Sequence, residues 1–348
     1  MDNIRNHLKN GIAYFKKAQI LDYKRTKKSE ILKTPEQTVF VEFGKNANKV
    51  KRPTYEDKKA TGIVAGNYYY WYTKPLHNYY HMFLDGLGCL YRYLELRKDV
   101  KNLKLLINES PNGLEKHPPF IKELLDMLEI EYQFTTELFS YENLWIGDTL
   151  NQNKEGVRIA PKEGQYKMIE MCIRKAQSSY HRIRNVPTYE KIYLSRRTAD
   201  NPKYNKNLIG EDNTKKRGLV NETEVVEVLH DLGYKEVFGE NFNVAEKIVL
   251  FNKMKKYITS AGAGVTNILW ATKPLSVGGI HTPGFPFPSE HYARHIIHQP
   301  YYKHVKVNVY PGQVSYAIKD VKHYNSPWRI NSIKQFRDWA SQIWNGTL

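Results

Sequence analysis

The sequence predicts an α/β fold in two domains, the second a parallel sheet with helices on both faces, and three observations carry that reading. Short apolar runs that read as strands alternate with segments of helical period along most of the chain. In the second half, helix caps and a glycine stop punctuate that alternation. The length, 348 residues, exceeds what one ordinary domain holds. The expected division is one α/β domain over 1–180, a second over 181–322 and a terminal helix over 323–348.

Residues 1 to about 60 mix "TVFVEF" with basic polar stretches, so a strand or two and loops are expected there. From Pro75, the positions Leu76, Tyr80, Phe83, Leu84, Leu87 and Tyr91 keep a helical period, with Thr73 as cap and Pro75 in the first turn. "LKLLIN" reads as a buried strand, "PFIKELLDMLEI" as a helix, "LWIG" as a strand, and "YKMIEMCIRKAQSSYHRIR" as a helix leading to the second domain. There, "KIYLS" (191–195) is a strand, followed by a polar loop to Lys216. In "NETEVVEVLHDLGY" Asn221 can cap a helix, Glu224 can complete a capping box and Gly233 can end it; "NVAEKIVLFNKM" repeats the pattern with Asn243 and Glu246. "KKYITS", "AGAG", "VTNILWA" and "LSVGGI" read as strand, turn, short helix and strand. In the tail, Ile330, Ile333, Phe336, Trp339, Ile343 and Trp344 keep a helical period from Pro327 to Trp344.

Composition narrows the partners. Fifty-three Lys and Arg against 36 Asp and Glu give a net charge of +17, a field that favours nucleic acid, anionic membrane or phosphorylated small molecules. The Lys, Asn, Ile and Tyr usage of an AT-rich gene accounts for that charge equally well. No run of about 18 apolar residues occurs, and "MDNIRNHLKNGIAYFKK" lacks the apolar stretch of a signal peptide, so a soluble, uncleaved chain is expected. Cys89 and Cys172 both fall within helical patterns, which disfavours a disulfide framework or cysteine metal site and fits a reducing compartment.

Ligands of doubly wound domains bind at the carboxyl ends of the strands. Gly262-Ala263-Gly264 falls there, between a strand ending near Ser260 and a helix beginning near Val265. Such a turn lets backbone N–H groups approach a phosphate, although a merely tight turn reads the same way. Arg196 and Arg197 directly follow "KIYLS" and reach the same edge; Arg217, four residues before Asn221, can add a third cation. Arginines and a helix terminus together can neutralise a diphosphate without a metal.

The ordered set "YLSRR", "RGLVNETEVVEVLHDLGY" and "FNVAEKIVLFNKMKKYITSAGAGVTNILWA" resembles the carboxyl half of glycosyltransferase family 61, and "NYYHMFLDGL" resembles its amino-half signature. The likeness runs over roughly 65–282. It implies a GT-B architecture: two Rossmann-like doubly wound domains facing a cleft, the acceptor mainly on the first domain and the last helix crossing back to it. It also implies an inverting reaction with a nucleotide-sugar donor, uridine diphosphate-linked in most members, on the second domain. Carried over by position, Arg196, Arg217, Asn221, Glu222, Gly262, Ala263, Gly264, Thr266 and Asn267 belong to the donor, and His81 and Asp85 to the cleft. Two departures stand out. Members carry "HGAG" where this chain reads "AGAG", putting Ala261 in the place of a histidine, and "SVGGI" has glycine where an acidic residue is common.

His77, His81 and Asp85, spaced i, i+4 and i+8, form one stripe roughly 100° from the apolar face of their helix. Three readings are open for it. A metal site would need a further ligand from elsewhere; the rim of a buried helix needs nothing more; and His81 can be the general base, with Asp85 one turn away orienting it and His77 a polar wall. The leading expectation is an inverting glycosyltransferase without metal or other cofactor, acting on a glycan or glycoprotein acceptor. It would be cytoplasmic, bacterial or in the host of a large DNA virus, with no membrane span but a basic surface open to peripheral association. The alternatives are a basic nucleic-acid-binding protein, which lacks a recognised motif here, and a catalytically inactive glycan-binding relative.

Overall fold

The computed structural model describes residues 2–3, 12–21, 30–33, 38–41, 60–71, 78–107, 118–135, 139–147, 163–179, 186–195, 218–283, 305–317 and 327–345. The chain divides into two compact units, Met1–Lys175 and Ala176–Leu348. Each is α/β, and parallel pairing dominates around each candidate site. Among the described residues, no helix is long and apolar enough to cross a membrane.

The first unit is built on an eight-stranded sheet. Its strands are β1 (Asp2–Asn3), β2 (Ile12–Leu21), β3 (Glu30–Lys33), β4 (Thr38–Val41), β5 (Gly62–Tyr70), β6 (Leu103–Ile107), β7 (Tyr132–Phe134) and β8 (Phe139–Gly147), ordered β1-β4-β3-β2-β8-β5-β6-β7. From β8 to β7 every pairing is parallel; read from β7, these four strands run third, second, first, fourth in chain order. That is the order of a doubly wound half, with its switch point between β5 and β8. The rest departs from a purely doubly wound domain, because β2 pairs antiparallel with both β8 and β3. The reason lies in β2 itself, where Ala13, Phe15, Ala18 and Ile20 are buried and join the core of Tyr68, Tyr70, Leu144 and Ile146. Strand β5 ends in Tyr68, Tyr69 and Tyr70, buried on both faces as a central strand requires. The helices are α1 (Tyr79–His81), α2 (Leu87–Asp99), α3 (Pro119–Met127) and α4 (Glu163–Ser178).

In the second unit, β9 (Lys191–Ser195), β10 (Lys235–Phe238), β11 (Lys256–Ser260), β12 (Leu275–Ile280) and β13 (Val305–Val309) form a five-stranded, wholly parallel sheet, ordered β10-β9-β11-β12-β13. Its switch point lies between β9 and β11. Helices cover both faces. Helix α5 (Glu222–Asp231) packs with Tyr193, Ile258 and Ile280 on one side. On the other lie α6 (Val244–Asn252), whose Phe251 meets the ring of Tyr257, and a 3-10 helix over Ala263–Trp270. Capping chemistry sets two of the ends. The Asn243–Glu246 box forms as the sequence predicts, Asn243 Oδ1 accepting from the Glu246 N–H at 2.9 Å and Glu246 Oε2 from the Asn243 N–H at 2.7 Å. At the end of α5, Gly233 has φ +81° and its N–H reaches the His230 carbonyl, while that of Tyr234 reaches Leu229.

The hairpin of β14 (Val314–Tyr316) and β15 (Trp328–Ile330) precedes α7 (Ile333–Asn345). The terminal helix forms, as its period predicts. Phe336, Trp339, Ala340 and Ile343 are buried in the second unit's own core, with Tyr193, Ile258, Ile280 and Tyr310. Two neighbours explain this placement. Trp328 bridges to Leu219, and Arg337 pairs with Asp231 at 2.7 Å, so the tail is tied beside α5. Lys256 Nζ also donates to the Ile343 carbonyl at 2.8 Å, satisfying one of the orphan carbonyls near the end of α7. Trp339→Ala is therefore expected to destabilise the second unit by about 3–5 kcal/mol. A urea midpoint equal to that of the unaltered protein would contradict this packing.

Candidate functional site

Parallel pairing aligns the strand ends of the second unit. Phe238 pairs with Ser195, Thr259 with Leu194 and Ser260 with Ile280, so β10, β9, β11 and β12 all reach one edge. At that edge the chain leaves β11 through Ala261, which is buried and donates its N–H to the Ile280 carbonyl at 2.7 Å. The two glycines that follow have different reasons to be glycine. Gly262 sits at φ +154°, ψ −165°, a region essentially closed to other residues. At Gly264, a Cβ would run into the Leu194 side chain and lie 3.2 Å from Thr259 Oγ1; the Tyr257 hydroxyl donates to the Gly264 carbonyl at 2.8 Å. Close approach of turn to sheet thus requires the second glycine.

The short helix expected from Val265 is a 3-10 helix from Ala263, and its side chains from Val265 to Trp270 are buried. Asn267 hydrogen-bonds the Tyr257 phenol, whose pKa burial nonetheless pushes up. Asn267 is therefore engaged beneath the turn. Thr266 is also buried, and among the described residues its hydroxyl has no hydrogen-bond partner.

Asn221 and Glu222 stand at the amino end of α5. Asn221 does not cap the helix with its side chain. Its amide instead makes a two-point bond to β15, donating to the Ile330 carbonyl at 3.0 Å and accepting the Ile330 N–H at 3.1 Å. The competing partner lies 109 residues away, which is why a local capping rule did not find it. Glu222 is only 3% exposed, and one carboxylate oxygen accepts from the Tyr193 hydroxyl at 2.8 Å and the Ser195 hydroxyl at 2.7 Å. The first turn of a helix stabilises negative charge there. Glu222 thereby clamps the end of β9, at the position from which Arg196 follows. Arg196, Arg197 and Arg217 lie outside the described residues.

In the first unit, the helix bearing His81 begins shortly after β5, beside the switch point of its own sheet. Thr73, Pro75 and His77 lie outside the described residues; Asn78 caps the described start, its Oδ1 accepting from the Tyr80 N–H at 3.0 Å. His81 is half-buried and its ring meets that of Tyr80 edge-on at 5.3 Å. The continuous α-helix expected here is interrupted by a π-helical turn, Met82–Gly86, which includes the backbone of Asp85. Two side chains from other elements grip that turn. Gln165 of α4, fully buried, donates to the Leu84 carbonyl at 2.6 Å, and Trp71 donates its indole N–H to the Gly86 carbonyl at 2.9 Å. A π turn leaves carbonyls without their usual helical partners and recurs at functional sites.

Gln165 and Trp71 were missed by sequence reasoning, as was the anchoring of Ser195. Gln165 is 81 residues from the carbonyl it holds, and nothing in its helical segment marks it. Among the described residues, no three His, Cys, Asp or Glu side chains come together as a metal site.

The chain matches the family described as Glycosyltransferase 61 over residues 79–278, from α1 into β12. No curated protein matches it.

Two expectations follow from the packing of these residues. Asn221→Ala leaves both backbone groups of Ile330 unpaired and should cost about 2–4 kcal/mol, read as a fall in thermal midpoint. Gln165→Met, which keeps the volume but removes the bond to Leu84, should cost about 1–3 kcal/mol. Midpoints equal to that of the unaltered protein would contradict these two roles.

Proposed function

Because the chain belongs to glycosyltransferase family 61, we propose that it is an inverting GT-B enzyme moving a sugar from a nucleoside diphosphate donor, uridine-linked by the family resemblance, to a glycan hydroxyl. The observation that carries the donor assignment is the glycine turn at the switch point of a wholly parallel sheet. In this reading the acceptor oxygen attacks the anomeric carbon as the bond from that carbon to the diphosphate oxygen breaks. The hydroxyl proton passes to the imidazole of His81, and the leaving diphosphate carries away the bonding pair. Asp85 orients His81 and stabilises its charged form. Arg196 and Arg217, with the turn Gly262–Asn267, neutralise the diphosphate, so no metal or other cofactor is needed.

The base assignment is supported by the position of His81 after β5, beside the switch point of the first unit's sheet, where acceptors are expected. Cys89 and Cys172, both buried as thiols, support a reducing, cytoplasmic setting. Ala261 favours a second reading, an inactive glycan-binding relative, because a buried methyl stands where the resemblance places a histidine.

One set of measurements separates these readings. His81→Ala should keep its thermal midpoint and its affinity for uridine diphosphate, while diphosphate release from the donor with acceptor falls by about 10²- to 10⁴-fold. Near-normal turnover in the folded variant would remove His81 as base. No diphosphate release from any nucleotide sugar by the unaltered protein would favour the inactive relative. Added uridine diphosphate should raise the melting temperature, and EDTA should leave that shift unchanged.

A further inference from the structure

We propose that His281 and Thr282, the two residues leaving β12, hydrogen-bond the diphosphate of the donor. The inference rests on the donor reading above and adds two ligands to it that no motif marks.

Their place in the sheet comes first. Ser260 pairs with Ile280, and the Ala261 N–H donates to the Ile280 carbonyl at 2.7 Å, so residues 281 and 282 leave the carboxyl edge beside the turn at Gly262. Ile280 faces the layer of α5 and α7. His281 and Thr282 follow directly after β12, at the same edge as the 3-10 helix of the glycine turn.

Their polar atoms supply the second observation. Thr282 is 1% exposed, and among the described residues its hydroxyl has no hydrogen-bond partner. Nδ1 of His281 is likewise buried and without a partner among the described residues. Native proteins pair the large majority of buried polar groups, since each orphan forfeits its bonds to water. Two orphans on consecutive residues, at the edge of a sheet where ligands bind, are arranged for something that arrives later.

The chemistry suits phosphate. Diphosphate oxygens accept hydrogen bonds; the threonine hydroxyl donates one, and the imidazole donates another in the tautomer that carries its proton on Nδ1. Burial lowers the pKa of His281, which favours the neutral ring. The pair thus contributes directed hydrogen bonds, while the positive charge comes from the arginines.

The test exploits the cost of carrying orphans. Thr282→Val is isosteric and removes an unpaired hydroxyl, so the ligand-free variant should melt no lower than the unaltered protein, while calorimetric affinity for uridine diphosphate falls about tenfold. His281→Leu should weaken the same titration to a similar degree. Unchanged affinity in both variants would overturn the pair and leave the donor reading standing. A clear fall in the melting temperature of ligand-free Thr282→Val would also overturn it, because the hydroxyl would then have a partner within the protein. Failure of the unaltered protein to bind uridine, guanosine, adenosine or cytidine diphosphate would overturn this inference and the donor reading together.

Discussion

A sheet whose strands all run in parallel brings every carboxyl end to one edge, and the second unit is organised around that constraint. The strand ends must stop there, turn sharply and still satisfy their polar groups. Glu222 solves this at β9, with one buried carboxylate oxygen holding both the Tyr193 and Ser195 hydroxyls at the amino end of α5. Glycine solves it at β11, where Gly262 takes a conformation other residues avoid and Gly264 lets the 3-10 helix lie against Leu194 and Thr259. The result is an edge where two strand ends turn with buried side chains and backbone bonds holding them.

The first unit meets a similar constraint with different means. Its parallel strands put β5 and β8 at the switch point, and the chain returns from β5 into the helix of His81. There the backbone widens into a π turn, and Gln165 and Trp71 occupy two of its carbonyls from outside the helix. The geometry after His81 is thus specified by tertiary contacts rather than by the helix itself. In both units a candidate functional segment at the strand ends is held by buried side chains that take no part in the proposed chemistry.

Much of this was legible in the sequence, and the limits have physical causes. The helices and strands of the second unit were readable because caps, the Gly233 stop and apolar runs are local signals. The Asn243–Glu246 box formed as written, whereas Asn221, of the same residue type in the same pattern, was drawn to Ile330 by a strand far along the chain. The stripe of α7 announced a buried helix, but periodicity says only that a face is buried, not against what. Strand β5 escaped because "GNYYYW" has no alternation when both faces are covered. The π turn could not be read, since its apolar spacing fits an α-helix equally well. At Gly278 a Cβ would run into Ile258, Trp339 and Ile343, so the glycine gives α7 room to pack against β12, a close approach that no local pattern marks.

Backbone hydrogen exchange with and without uridine diphosphate tests, without altering any residue, whether the nucleotide binds at the carboxyl edge of β9 and β11. Exchange is expected to slow at Ala261–Asn267 and at the first turn of α5, around Glu222, when nucleotide is bound. Binding accompanied by protection confined to other segments, with the amides of Ala261–Asn267 unchanged, would contradict it.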